Sequence, residues 1–174
     1  KVELLADVSE IVPGETFHLG LRYELEPHWH VYWKNPGASG LAPEVDWDLP
    51  EGFEVGAMEF PRPERFELSG LVSYAHEGAP LFIVPVQAPF ELQAGDTVTV
   101  QASVFWLICK DVCIADDAEL ELRLPVSDGM LPDENAALFA AARDAQPLAD
   151  FGVEMSASLG VGNLVEMTIR GLDD

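Results

Sequence analysis

Two cysteines, Cys109 and Cys113, are the only ones in the 174-residue chain, and three residues separate them within FWLICKDVCIADD. Sulfur at this spacing supports three chemistries: a structural disulfide, part of a metal clamp, or a pair that exchanges disulfides with another protein. On a straight strand, residues four apart lie about 13 Å apart, whereas a disulfide needs Cα atoms within about 7 Å. If the pair bonds, the chain must therefore turn between the cysteines. The alternating flanks TVTVQASVFW and AELELRLPV fit a hairpin with Lys110, Asp111 and Val112 at its tip. Closing a loop of about five residues stabilises a fold by only roughly 2 kcal/mol, against nearer 5 for a loop of about 100. A staple would be better placed between distant strands, and short loops favour strained, exchangeable disulfides, so exchange is the favoured reading. Zinc would need two ligands beyond the two thiolates. Lys110 is the only cation nearby, while Asp111, Asp116 and Asp117 oppose thiolate formation. The pair is thus expected to exchange with a stronger nucleophile rather than to activate itself.

Two other stretches carry candidate side chains. EPHWHVYWKNPGASG, read as a strand that ends in an Asn-Pro-Gly turn, puts Trp29, Val31 and Trp33 on one face. His28, His30 and Tyr32 then share the other face, where His30 and Tyr32 would line the cysteine site. A His-x-His copper or zinc site is the competing use of that face. EFPRPERFELSGLVSYAHEG, with two prolines and two arginines, reads as a loop anchored by Phe66, able to fold over a reactive disulfide. Met58 and His76 flank it and would serve copper together with the cysteines. A copper-binding or copper-resistance module is accordingly the rival function, and an adhesive sandwich domain is the blander one.

The elements that must position these residues are mostly strands. TFHLGLRYEL sets Phe17, Leu19, Leu21, Tyr23 and Leu25 on one face, and KVELLADV does the same with Val2, Leu4, Ala6 and Val8. Similar signals recur at 54–60, 70–76, 81–86, 97–105 and 119–126, punctuated by Pro, Gly and Asp. Seven to nine short strands in residues 1–126 predict an all-β, immunoglobulin-like sandwich. Residues 127–147 read as a linker holding one short helix, with Asp133 as N-cap and Pro147 as stop. Residues 148–174 read as two further strands around a Gly-rich turn, either packed on the sandwich or opening a second domain.

Composition narrows the function. Nine Lys+Arg against 31 Asp+Glu give a formal net charge of −22. Such a surface repels phosphate backbones and anionic headgroups, which argues against nucleic-acid and membrane-surface roles, and it favours a basic partner. The sequence has no apolar run of about 18 residues, so none of it is expected to span a bilayer. The chain opens at Lys1 without a start methionine or a signal segment, and is read as a piece of a longer protein.

HWHVYWKNPGASGL, LPEGFEVGAMEFPRPERF and VFWLICKDVCI, in that order, resemble the N-terminal periplasmic domain of the DsbD family of transmembrane disulfide reductases. The likeness is greatest to the ScsB (suppressor of copper sensitivity) branch and covers roughly residues 1–126. It implies an immunoglobulin-like domain, periplasmic and part of a bacterial inner-membrane protein. Its cysteine pair would take electrons from the transmembrane and thioredoxin-like domains of the same reductase. It would pass them to periplasmic thioredoxin-fold proteins, with no bound cofactor. Carried onto this chain, Cys109 and Cys113 match the redox pair, Cys113 forming the mixed disulfide and Cys109 resolving it. His30 and Tyr32 match the aromatic positions near the pair, and Phe66 falls near the tip of the family's cap loop. Enterobacterial members have a different cap sequence and space their cysteines more widely. The segment after Ser127 fits the longer soluble region of the ScsB branch.

Overall fold

In a computed structural model of the chain, residues 1–68, 70–129, 135–147, 154–159 and 165–170 are described. The first sheet contains β1 (Val2–Ala6), β2 (Thr16–Tyr23), β5 (Glu54–Val55) and β8 (Leu81–Gln87), in the order β1-β2-β8-β5. The second contains β3 (His30–Gly37), β4 (Glu44–Asp48), β6 (Glu64–Leu68), β7 (Leu71–Glu77), β9 (Thr97–Cys109) and β10 (Cys113–Pro125). Its path is β10-β9-β3-β7-β6. β9 is long enough to pair two strands along one edge: β4 lies against residues 101–105 and β3 against Ile108 and Cys109. The ladders between these strands are antiparallel, and the two sheets enclose one core, as the immunoglobulin-like sandwich expected from the alternation requires.

The core follows the period-two pattern. Phe17, Leu19, Leu21 and Tyr23 of β2 meet Val98, Val100, Ala102, Val104 and Trp106 of β9 in one cluster. β8 is buried on both faces, which is why its sequence, LFIVPVQ, is continuously apolar rather than alternating. Phe82, Val84 and Val86 face the sandwich, while Leu81 and Ile83 face a helix, α1 (Ala136–Asp144). α1 drives Phe139 and Ala142 onto that outer face. Gly20 makes the approach possible, since a Cβ there would lie 2.7 Å from the Phe139 ring. Arg143 adds an ion pair with Asp7, which also holds the His18 ring at 2.9 Å. The expected N-cap, Asp133, lies outside the described residues, and the helix ends before Pro147 as anticipated. β11 (Glu154–Leu159) and β12 (Val165–Arg170) pair antiparallel, with Val165, Met167 and Ile169 exposed.

Three local expectations are corrected. The strand expected over 54–60 is cut to Glu54–Val55 plus a bridge from Glu59 to Ile83. Pro85 is the cause: its carbonyl accepts from Gly56, but the ring leaves no N–H to return, so the ladder lapses between those points. The Asn35-Pro36-Gly37 turn instead lies inside β3 as a bulge, with Gly37 at φ +87° opposite Ser73. The loop expected around Phe66 is the edge strand β6, paired with β7 so that Phe66 faces Ser73; both prolines lie upstream, where they cost no ladder bond.

Candidate functional site: a disulfide at a hairpin tip

β9 and β10 form a continuous ladder that ends in the pair Cys109↔Cys113, and the two sulfurs are bonded, with Cα atoms 4.1 Å apart. Lys110, Asp111 and Val112 make the turn, as the spacing anticipated, and the Lys110 amide donates to the Val112 carbonyl. Trp106 points into the sandwich, but Leu107 and Cys109 point to the outer face of the sheet. There Cys109 is only 3% exposed, packed with Tyr32 and Ala75 and flanked by Phe66 and Leu107. Cys113 stands exposed beside it.

The structure brings His30, Tyr32 and Phe66 to this pair. His30 is the register partner of Cys109 on one side and of Glu77 on the other. Its ring stacks on Phe66 at 4.8 Å and meets Tyr32 edge-on at 5.4 Å. The Tyr32 hydroxyl lies 3.7 Å from Cys113 Sγ. Burial lowers the His30 pKa, partly offset by the Glu77 carboxylate, and so favours the neutral imidazole. Burial raises the Tyr32 pKa, partly offset by a hydrogen bond with Ser39, which keeps the phenol protonated. A groove of about 270 Å3 runs along the disulfide, walled by the two cysteines, His30, Tyr32 and Phe66.

The sequence reading missed several of the groove's residues. Ser39 bonds Ser73 at 2.8 Å beneath the groove, and Gly40, at φ +94°, lets the backbone pass the Tyr32 ring where a Cβ would stand 2.3 Å away. Neither Ser39 nor Gly40 carries a signal of its own in the sequence, where the turn signal is Asn35-Pro36-Gly37. Of the residues proposed for copper, Cys109, Cys113, His28 and His30 border the groove, whereas Met58 and His76 lie away from it. His28 borders the groove but sits in a tight turn at φ +71°, so it does not share a strand face with His30. Met58 packs against the sandwich core, and His76 is buried against Phe82 at 5.3 Å. Among the described residues, no three His, Cys, Asp or Glu side chains cluster as metal ligands.

A half-covered disulfide, one sulfur sheltered and one presented, on an immunoglobulin-like scaffold is an arrangement suited to a thiol–disulfide exchange module. The chain belongs to the family of the N-terminal domain of the thiol:disulfide interchange protein DsbD, whose family model matches residues 1–125. Among solved structures it is similar to the N-terminal periplasmic domain of ScsB from Proteus mirabilis. That match has 19% identity and a TM-score of 0.64, covering 88% of this chain and 57% of that one. The N-terminal domain of DsbD from Neisseria meningitidis, in its reduced form, matches at 13% identity with a TM-score of 0.42. It covers 76% of this chain and 90% of that one. The chain thus spans little more than half of the ScsB structure, and at such identity the likeness is one of fold. No curated protein matches the chain.

Proposed function

We propose that this domain relays electrons by thiol–disulfide exchange, as the periplasmic module of a bacterial inner-membrane disulfide reductase. The observation that carries the reading is the asymmetry of the pair: Cys113 is exposed in a groove while Cys109 is only 3% exposed beside it. In the dithiol form, the Cys113 thiolate attacks a partner's disulfide, forming a mixed disulfide and releasing one partner thiolate. The Cys109 thiolate then attacks Cys113 Sγ, expelling the second partner thiolate and leaving the Cys109–Cys113 disulfide. The partner gains two electrons and two protons, and the domain loses them. Reversal of the same steps with a dithiol restores it. The transmembrane and thioredoxin-like domains of the same reductase would supply that dithiol, and periplasmic thioredoxin-fold proteins would receive the electrons.

The surrounding side chains suit these steps. The protonated Tyr32 hydroxyl lies within reach of Cys113 Sγ and stabilises the thiolate there when the disulfide opens. Phe66, stacked on His30, walls one side of the groove and limits which thiols reach the bond.

The test is trapping. With Cys109→Ala, a dithiol-free Cys113 should accumulate a mixed disulfide with an oxidised thioredoxin-fold protein, visible as a reducible band and an added mass. If neither Cys109→Ala nor Cys113→Ala traps such a partner, the relay reading is wrong.

A further inference from the structure

The opposite face of the same hairpin end carries a second hollow, which the exchange steps do not use. Beyond the end of β2, where the core opens to solvent, a cleft of about 270 Å3 is walled by Tyr23, Trp29 and Trp106. Trp106 and Asp116 are register partners on β9 and β10, so the cleft lies on the inner face of the strands whose outer face holds the cysteines. Three carboxylates, Glu24, Glu26 and Asp116, border it, all on exposed residues. Lys1 borders it as well; its ammonium is held by Glu3 and lies 4.0 Å from Glu24, which also pairs with Arg22 at 3.3 Å, so Glu26 and Asp116 are the carboxylates that chiefly face an incoming cation. Tyr23 is fully buried, and its hydroxyl has no hydrogen-bond partner among the described residues. A buried phenol left unpaired is costly, and its oxygen can accept from an N–H donor.

Aromatic faces, a rim of carboxylates and an unmet acceptor together suit a cation that brings N–H donors and an apolar stem. The turn from Glu26 to Trp29 joins this cleft to the exchange site, since His28 borders the disulfide groove and the next residue, Trp29, borders the cleft. We propose that the cleft seats a lysine or arginine side chain of the protein that docks on the disulfide end of the domain. That this protein is the exchange partner rests on the relay reading above; the chemistry of the cleft does not. The net charge of −22 favours approach of a basic surface, and the cleft gives one of its side chains a defined seat.

The experiment uses the full chain as Cys109→Ser/Cys113→Ser, in which no exchange can occur, and follows the tryptophan indole N–H signals by NMR. The probe is a neutral-capped pentapeptide with one central lysine, compared with its norleucine counterpart and with butylammonium. The lysine peptide should shift the Trp29 and Trp106 signals saturably, and the norleucine peptide should not. Trp29→Ala should weaken binding by about 5-fold or more. Glu24→Gln/Glu26→Gln/Asp116→Asn, which touches only exposed residues, should do the same. Glu44→Gln/Glu54→Gln/Glu91→Gln removes as much charge elsewhere and should change it by less than about 2-fold. Equal losses in the two charge variants, or no shift with lysine, would overturn the proposal. Butylammonium binding as tightly as the peptide would overturn the docking role in favour of a small-cation site. Mixed-disulfide trapping on Cys113 is read separately, so either reading can fail alone.

Discussion

At the scale of single residues, the disulfide groove depends on groups that do no chemistry. Gly40 holds φ +94° against the face of Tyr32, whose hydroxyl stands 3.7 Å from Cys113 Sγ. An alanine there meets both a backbone conformation that L residues rarely adopt and a ring it cannot displace cheaply. Gly40→Ala is therefore expected to destabilise the domain by about 1–3 kcal/mol, read from the denaturant midpoint. It should also change the rate at which a small thiol reduces the Cys109–Cys113 bond, because Tyr32 must move. A midpoint within error of wild type would mean that the Tyr32 ring is free to shift. That His30, Tyr32 and Phe66 would gather beside Cys109 and Cys113 was legible in the sequence, because unusual residue types announce themselves as candidates. Ser39, Gly40 and Glu77 were not, since ordinary residues enter a site through strand register, which the sequence does not print.

At the scale of elements, the alternation in β2, β9 and β10 predicted strands and their buried faces, because a period of two has one geometric meaning. Where sequence and structure part, the reason is pairing. β6 looked like a loop because its prolines were counted with it, yet both precede the strand and its neighbour β7 supplies the ladder. β4 gave no distinct signal, being a short strand accommodated along the unused half of the β9 edge. α1 was legible as a helix, but its docking was not: it depends on Gly20 of a distant strand leaving room for Phe139. Phe139 is fully buried, so Phe139→Ala should cost about 3–5 kcal/mol of the free energy that docks α1. Because the sandwich core is a separate cluster, the helix should come away first. Limited proteolysis should then cut within 127–147 while residues 1–126 persist. Loss of the sandwich and the helix in a single transition would show that they fold as one unit.

At the scale of the whole molecule, acidity and burial act on stability in opposite directions. Protonating carboxylates relieves the self-repulsion of a chain with net charge −22, which favours the fold as pH falls. His76 works against this: burial against Phe82 pushes its pKa down from 6.5 to about 4, and its Nε2 has no partner among the described residues. Between pH 6.5 and 4 the unfolded chain takes up a proton at this position that the folded chain refuses, so stability from His76 is present above 6.5 and lost below it. Relative to His76→Gln, the wild type should lose about 1–2 kcal/mol between neutral pH and pH about 4.5, measured by urea unfolding. Parallel pH profiles for the two proteins would show that the imidazole finds water or a partner when charged.

The register pair Cys109↔Cys113 closes a ladder of 13 residues on each strand. Opening the sulfur–sulfur bond leaves that ladder standing, so the freed thiols remain neighbours. Any protein joined covalently to Cys113 therefore faces Cys109 at an effective concentration far above that of thiols in solution. The lifetime of the covalent complex is then set mainly by the hairpin and little by the surroundings. Under the proposed relay, this geometry favours brief encounters and rapid turnover.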